Sequence, residues 1–193
     1  MKRLLATLIA TAAVVTTAAP VFAAEVAYKL DPAHTETTFT IDRFGFTSII
    51  GIFAASEGTI WLDEAAPEKS RVEATVTVDS LLTANATRDE HIKGERWLNA
   101  AKSPTMTFKS TKVEKTGDTT AKVTGDLTVM GVTQPAVLDV KLNKIGTAPN
   151  NQRKQAGFTI TGQISRKAFG SAGAAGVIGD AVNIRIEALA VAQ

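Results

Sequence analysis

Between Val72 and Asp79 apolar and polar residues alternate one for one, with Val72, Ala74, Val76 and Val78 set against Glu73, Thr75, Thr77 and Asp79. A period of two sends the two sets to opposite faces of a β-strand, one toward a core and one toward water. The same rhythm governs most of the chain. It recurs at Phe39 and Ile41, at Ile60 and Leu62, and at Met106 and Phe108. It continues through Val123-Gly125-Leu127-Val129, Ala136-Leu138-Val140-Leu142, Phe158-Ile160-Gly162-Ile164 and Val182-Ile184-Ile186-Ala188. The reading gives eight or nine strands, mostly joined by short turns. Short connections make neighbours antiparallel. An eight-stranded antiparallel sheet can close into a barrel that holds side chains or one elongated ligand. A β-sandwich would use the same pattern, but the length of the strands favours the barrel.

One stretch breaks the rhythm. Thr87 to Ser110 begins like a helix, with Thr87 and Glu90 in the T-x-x-E form of a capping box. Asp89 and Glu90 suit the positive end of a helix dipole. Ile92, Trp97 and Leu98 form a short apolar stripe, and Pro104 ends the helical run. One helix among many strands is expected to close an end of what the strands build. The run Phe44–Phe53 is apolar and carries Gly45 and Gly51, which suggests a bend or a close backbone approach.

The first residues read as a targeting segment. Lys2 and Arg3 precede an Ala-rich apolar run, and Val21-Phe22-Ala23 supplies small residues for cleavage, so residues 1–23 are expected to be a signal peptide and 24–193 the mature domain. With no Cys there is no lipid-anchored cysteine, and a lone Lys-Arg pair is not a twin-arginine signal, so a Sec-type route to the periplasm is expected. The whole chain has 21 Lys and Arg against 19 Asp and Glu. Without Lys2 and Arg3 the balance is 19 to 19. A neutral domain gives no electrostatic ground for nucleic-acid binding.

Candidates for chemistry are few. The only histidines are His34 and His91, and no Cys is present. No G-x-S-x-G context accompanies a serine, and no H-x-x-x-H spacing suggests a metal. The expectation is a protein without catalytic residues, metal or cofactor. His34 reads as a hydrogen-bonded side chain near the end of the first strand, and His91 as an exposed helix residue. Gly170–Gly179 is followed by a strand rather than a helix, so it reads as a rim loop and not a phosphate cradle. Arg88-Asp89 reads either as a buried pair locking the helix or as an exposed pair at a pocket mouth.

The apolar residues carry the functional reading. Phe39, Ile41, Phe44, Phe53, Trp97, Met106, Phe108 and Phe169 are candidates to line a lumen suited to a long apolar ligand. Each buried CH₂ is worth about 0.8 kcal/mol, so ten carbons supply roughly 8 kcal/mol before ordering costs. Such a ligand needs little polar recognition.

The chain resembles the YceI-like family over almost all of its mature length. The resemblance rests on Tyr28-x-Leu30-Asp31-x-x-x-His34, Gly51-x-Phe53 and Thr87-Arg88-Asp89-x-His91-Ile92. It extends through Ser103-Pro104-x-Met106-x-Phe108-x-Ser110, Val123-Thr124-Gly125-Asp126-Leu127-Thr128-Val129-x-Gly131-Val132-Thr133, Ser165-Arg166-x-x-Phe169-Gly170 and Gly179-Asp180-x-Val182. The resemblance implies a lipocalin-like barrel that binds a polyisoprenoid or similar amphiphilic lipid in the periplasm and is not an enzyme. It also implies an isoprenoid quinone as a further ligand class and a membrane b-type cytochrome as a partner. The chain departs from the family in having Arg43 where a His is common and Thr35 where a Ser is common. His34, Arg43 and Arg88 are the candidate head-group contacts, with Arg43 able to offer a fixed positive charge. A homodimer and a monomer both remain open.

Overall fold

The computed structural model describes residues 25–174 and 176–193. The proposed signal peptide lies outside the described residues. The strands are β1 (Val26–Leu30), β2 (Glu36–Arg43), β3 (Thr47–Phe53), β4 (Ser56–Leu62), β5 (Arg71–Thr77), β6 (Leu81–Leu82), β7 (Thr105–Lys115), β8 (Thr120–Val129), β9 (Val132–Thr147), β10 (Lys154–Ser165) and β11 (Ile178–Ala192). One helix, α1 (Ala86–Lys93), lies between β6 and β7.

These segments build eight ribbons of a closed barrel. β1 and β2 both pair antiparallel with β11, at Tyr28↔Ala192 and at Phe39↔Ile184, and so form one interrupted ribbon. β4 pairs with β1, and β3 with β2, giving a second ribbon broken at Ala54 and Ala55. β5 and β6 make the third, pairing with β4 and β3. β7 to β11 are unbroken and pair in sequence order. β5 pairs with β7, and the β1–β11 pairing closes the ring.

The inward faces are those expected from the alternation. Val72, Ala74 and Val76 of β5, Leu138, Val140 and Leu142 of β9, and Ile184, Ile186 and Ala188 of β11 all face the interior. A packed cluster of Tyr28, Leu30, Ala156, Phe158, Ala188 and Ala190 knits β1, β10 and β11 together. Gly51 is explained by close approach. A β-carbon there would lie 2.3 Å from the Phe39 ring.

The helix start differs from expectation. Asn85, not Thr87, is the N-cap, and its side chain accepts the Arg88 backbone N–H at 3.0 Å. Asn85 has the extended backbone a cap needs, whereas Thr87 is already inside the helix. The apolar stripe is also divided. Ile92 lies on α1, while Trp97 and Leu98 belong to the irregular turns that follow, where Leu98 N–H donates to Ile92 C=O at 3.0 Å.

Candidate functional site: a lumen closed at one end

The barrel encloses a cavity of about 550 Å³, within the range of about 300–1,000 Å³ usual for small-molecule sites. Its walls are predominantly aliphatic and aromatic. Phe39, Ile41, Phe53, Trp97, Met106, Phe108 and Phe169 all line it. Phe39, Met106 and Phe108 are only half-buried although they point inward, because the surface they retain faces the cavity.

The two ends differ. At one end Ile92, Trp97 and Leu98 from the helical stretch meet Arg166, Phe169 and Ser171 from the loop after β10. Phe169 is 3% and Ser171 5% exposed. The Trp97 indole lies flush on Gly173, where a β-carbon would come within 2.2 Å of the ring. This end is closed. At the other end the lining passes to Glu64, Ala65 and Arg71 beside the loop 63–70 and to Lys115, Asp118 and Thr119 around the turn 116–119, all solvent-exposed. That end is the mouth.

The closed end is anchored by one buried threonine. Asp89, 8% exposed, accepts from the Thr83 backbone N–H at 2.9 Å and also from the Thr83 hydroxyl. Arg88 donates through Nε to the same hydroxyl at 2.7 Å and through Nη2 to the Thr83 carbonyl. Arg88 and Asp89 therefore lock the helix, as the first of the two readings has it, but through Thr83 rather than through an ion pair with each other.

The head-group candidates stand outside the lumen. His34 sits at the break between β1 and β2 with its side chain 68% exposed, and its Nδ1 lies 2.9 Å from Asp31 Oδ2. That hydrogen bond, together with the Ala33 N–H, holds the Asp31 carboxyl below its ordinary range. Arg43 is exposed, with its guanidinium carbon 5.2 Å from the Phe44 ring centroid. Phe44 is a correction among the lining candidates. It is 50% exposed at the β2–β3 turn, out of phase with the inward Phe39 and Ile41, and projects outward with Phe46. His91 is exposed on α1, far from any role in the lumen. No group of three or more His, Cys, Asp or Glu that could hold a metal occurs among the described residues.

Arg166 was overlooked as a site residue. It is 5% exposed, lines the closed end of the cavity and places its guanidinium carbon 5.2 Å from the Trp97 ring centroid. Its three nitrogens donate to the carbonyls of Gly179 at 2.8 Å, Ser171 at 2.7 Å and Ile178 at 3.1 Å. The signal was present in Ser165-Arg166-x-x-Phe169-Gly170, and Arg166 also continues the inward parity of Phe158, Ile160 and Ile164.

The chain is thus a closed antiparallel β-barrel around an apolar cavity shut at one end. The chain belongs to the YceI-like family, whose YceI-like domain model matches residues 28–190. It is 39% identical to Protein YceI of Salmonella arizonae over 144 residues, which is 74% of each chain. The crystal structure of the Campylobacter jejuni YceI protein superposes with a TM-score of 0.71 at 28% identity, covering 79% of this chain and 90% of that one. Burkholderia cenocepacia BcnA shares the fold at TM-score 0.75 and 20% identity, over 83% of this chain and 98% of its own. A polyisoprenoid binding domain from Saccharophagus degradans, implicated in plant cell wall breakdown, shares it at 0.65 and 12%, over 87% and 99%.

Proposed function

We propose that this protein carries or sequesters a polyisoprenoid or similar long-chain amphiphilic lipid in its lumen, and does so in the periplasm after Sec-type export. The observation that carries the reading is the apolar cavity of about 550 Å³, open at the loop 63–70 and closed at the helix. Membership of the YceI-like family supports it, and the Saccharophagus degradans domain is an example of what this fold can hold. An isoprenoid quinone is the second ligand class we propose, since its tail is the same. Each five-carbon isoprene unit entering the lumen contributes about 4 kcal/mol before ordering costs.

The test is native mass spectrometry of protein purified from its own periplasm, followed by lipid extraction. The expected result is a co-purifying prenyl lipid. Absence of any such lipid, together with no binding of added octaprenyl compounds, sinks the proposal. A second reading is an interaction module that docks on a membrane b-type cytochrome or quinone-linked redox protein; the filled lumen expected of such a module is not what the structure has, since a cavity of about 550 Å³ is present. It draws on the exposed Phe44, Phe46, Ile50 and Leu82 near the β2–β3 turn, where Phe46 is 91% exposed. Cross-linking in native membranes that recovers a cytochrome only when Phe46 is present would favour it.

A further inference from the structure

We propose that Arg166 marks an anion subsite at the closed end of the lumen, so that a single-chain amphiphile with an anionic head binds head-inward and leaves its tail toward the mouth. The inference rests on the lumen being a lipid site and adds what that reading lacks, a head-group class and a direction.

The argument begins with the cost of burial. Arg166 is 5% exposed, and a guanidinium is positively charged at every physiological pH. Burial pulls its pKa below the usual arginine range, and the charge of Asp180 acts the other way. Yet Arg166 forms no ion pair within 4.0 Å among the described residues. The Asp180 carboxylate is committed elsewhere, to the Lys167 N–H at 3.0 Å and the Ser165 hydroxyl at 2.8 Å. Of the five N–H donors of a guanidinium, three go to the backbone carbonyls of Gly179, Ser171 and Ile178, which leaves two. Backbone carbonyls orient the group without neutralising it. Asp180 acts on the guanidinium only from beyond 4.0 Å; a buried charge without a counter-ion in contact is costly, and a bound anion supplies one.

The surroundings fit a compact head. Trp97 and the buried Ser171 line the cavity beside Arg166, while the walls between this end and the mouth are mostly apolar and carry no charge, their buried hydroxyls being paired, Thr37 with Ser56 at 3.0 Å and Thr35 with the Leu189 carbonyl at 3.3 Å. The mouth offers no equivalent preference. There Glu64 already accepts from Lys154 and from the Tyr28 hydroxyl at 3.3 Å, and Arg71 pairs with Glu25 at 3.0 Å. Its charges are of both signs and lie in water, where they are screened. A phosphate and a carboxylate present the same anionic oxygens, so both fall within the proposed class.

The experiment uses the delipidated mature protein carrying Trp61→Phe, which leaves Trp97 as the only tryptophan. Geranylgeranyl monophosphate and geranylgeraniol are titrated by Trp97 fluorescence. The phosphate is expected to bind about tenfold tighter or more, equivalent to about 1.4 kcal/mol. In Arg166→Met that ratio falls to near one. Because Arg166 also holds three carbonyls, an independent measurement uses the unsubstituted Arg166 protein. Stearate bearing a nitroxide near its carboxylate should quench Trp97 more strongly than stearate labelled near its methyl end. Equal affinities for phosphate and alcohol, or stronger quenching by the methyl-end label, overturns the subsite while leaving the lipid-binding reading standing. Failure of the phosphate, the alcohol and the stearates alike to bind overturns both.

Discussion

Replacing Asp89 by Ala is expected to unfasten the closed end of the lumen. The carboxylate accepts two hydrogen bonds from Thr83, one from the backbone N–H at 2.9 Å and one from the hydroxyl, and it is 8% exposed. Hydrogen bonds to a charged group contribute about 1.5–3 kcal/mol each, and a buried donor left without a partner costs about 1–3 kcal/mol. The two bonds share one residue, and the Thr83 hydroxyl still accepts from Arg88 Nε at 2.7 Å, so the effects do not simply add. The expected loss is about 3–5 kcal/mol. For a domain of this size that lowers Tm by about 6–20 °C. Asp89→Asn keeps an acceptor oxygen toward Thr83 and should lose about 1–2 kcal/mol. Urea denaturation and thermal melts of the three proteins give the numbers. The same variants should release a lumen-bound fluorescent prenyl probe faster, in the order Ala, Asn, wild type, because Thr83 tethers the turns that carry Trp97. If Asp89→Ala costs less than about 1 kcal/mol, the hydrogen-bond argument is wrong. If it costs the full amount without changing probe release, the helix is not what holds the end shut.

Three further outcomes follow from the geometry. Gly51→Ala should destabilise by about 1–3 kcal/mol in urea titrations, because its β-carbon would sit 2.3 Å from the Phe39 ring and force that side chain off its rotamer. Ala136→Phe, at a buried lining position, should abolish prenyl-probe binding while the far-ultraviolet circular dichroism keeps its β signature, since the new ring has the cavity to enter. The Asp180 carboxyl is held below its ordinary value of 3.8, first by the Lys167 N–H and then by the Ser165 hydroxyl. Its ionised form therefore adds stability above pH 3.8 that is lost as the pH falls through the lowered value. Wild type should lose more stability than Asp180→Asn on acidification, and parallel acid limbs in the two pH–stability curves would contradict this.

The wall of the barrel was legible because a pleated strand turns sequence parity into facing. Met106 and Phe108 share parity on β7, and both reach the cavity. Phe44 as a lining candidate runs against that same rule. It is out of step with Phe39 and Ile41, so parity sends it outward, and it lies 50% exposed in the β2–β3 turn. Arg166 obeys it one residue past the end of β10. It continues the even positions Phe158, Ile160 and Ile164 that face the lumen, and the carbonyls of Ser171, Ile178 and Gly179 then fix its guanidinium. What the local pattern does not encode is those three long-range partners. Thr87 looked like a cap because T-x-x-E is a local signal, whereas the choice of Asn85 depends on where the chain leaves β6. Which end is shut was legible as well, because the one helix among strands was expected to close an end, and Ile92, Trp97 and Leu98 of that stretch do line the closed one.

The seam between β1 and β11 has a consequence for timing. It consists of three residue pairs, Tyr28↔Ala192, Lys29↔Val191 and Leu30↔Ala190. The ring thus joins the earliest strand to the latest, across some 160 residues, at a loop-closure cost on the order of 4–5 kcal/mol. A newborn chain emerging N-terminus first has the pairings among β1 to β10 available before β11, which then pairs with β10, β2 and β1. Until the last strand arrives, the molecule is a curved sheet with two open margins and its oily face uncovered, the condition in which strands recruit neighbours. The lumen as an enclosed space exists only once β11 bridges β10 to β1 and β2, so enclosure of a cargo waits for that strand.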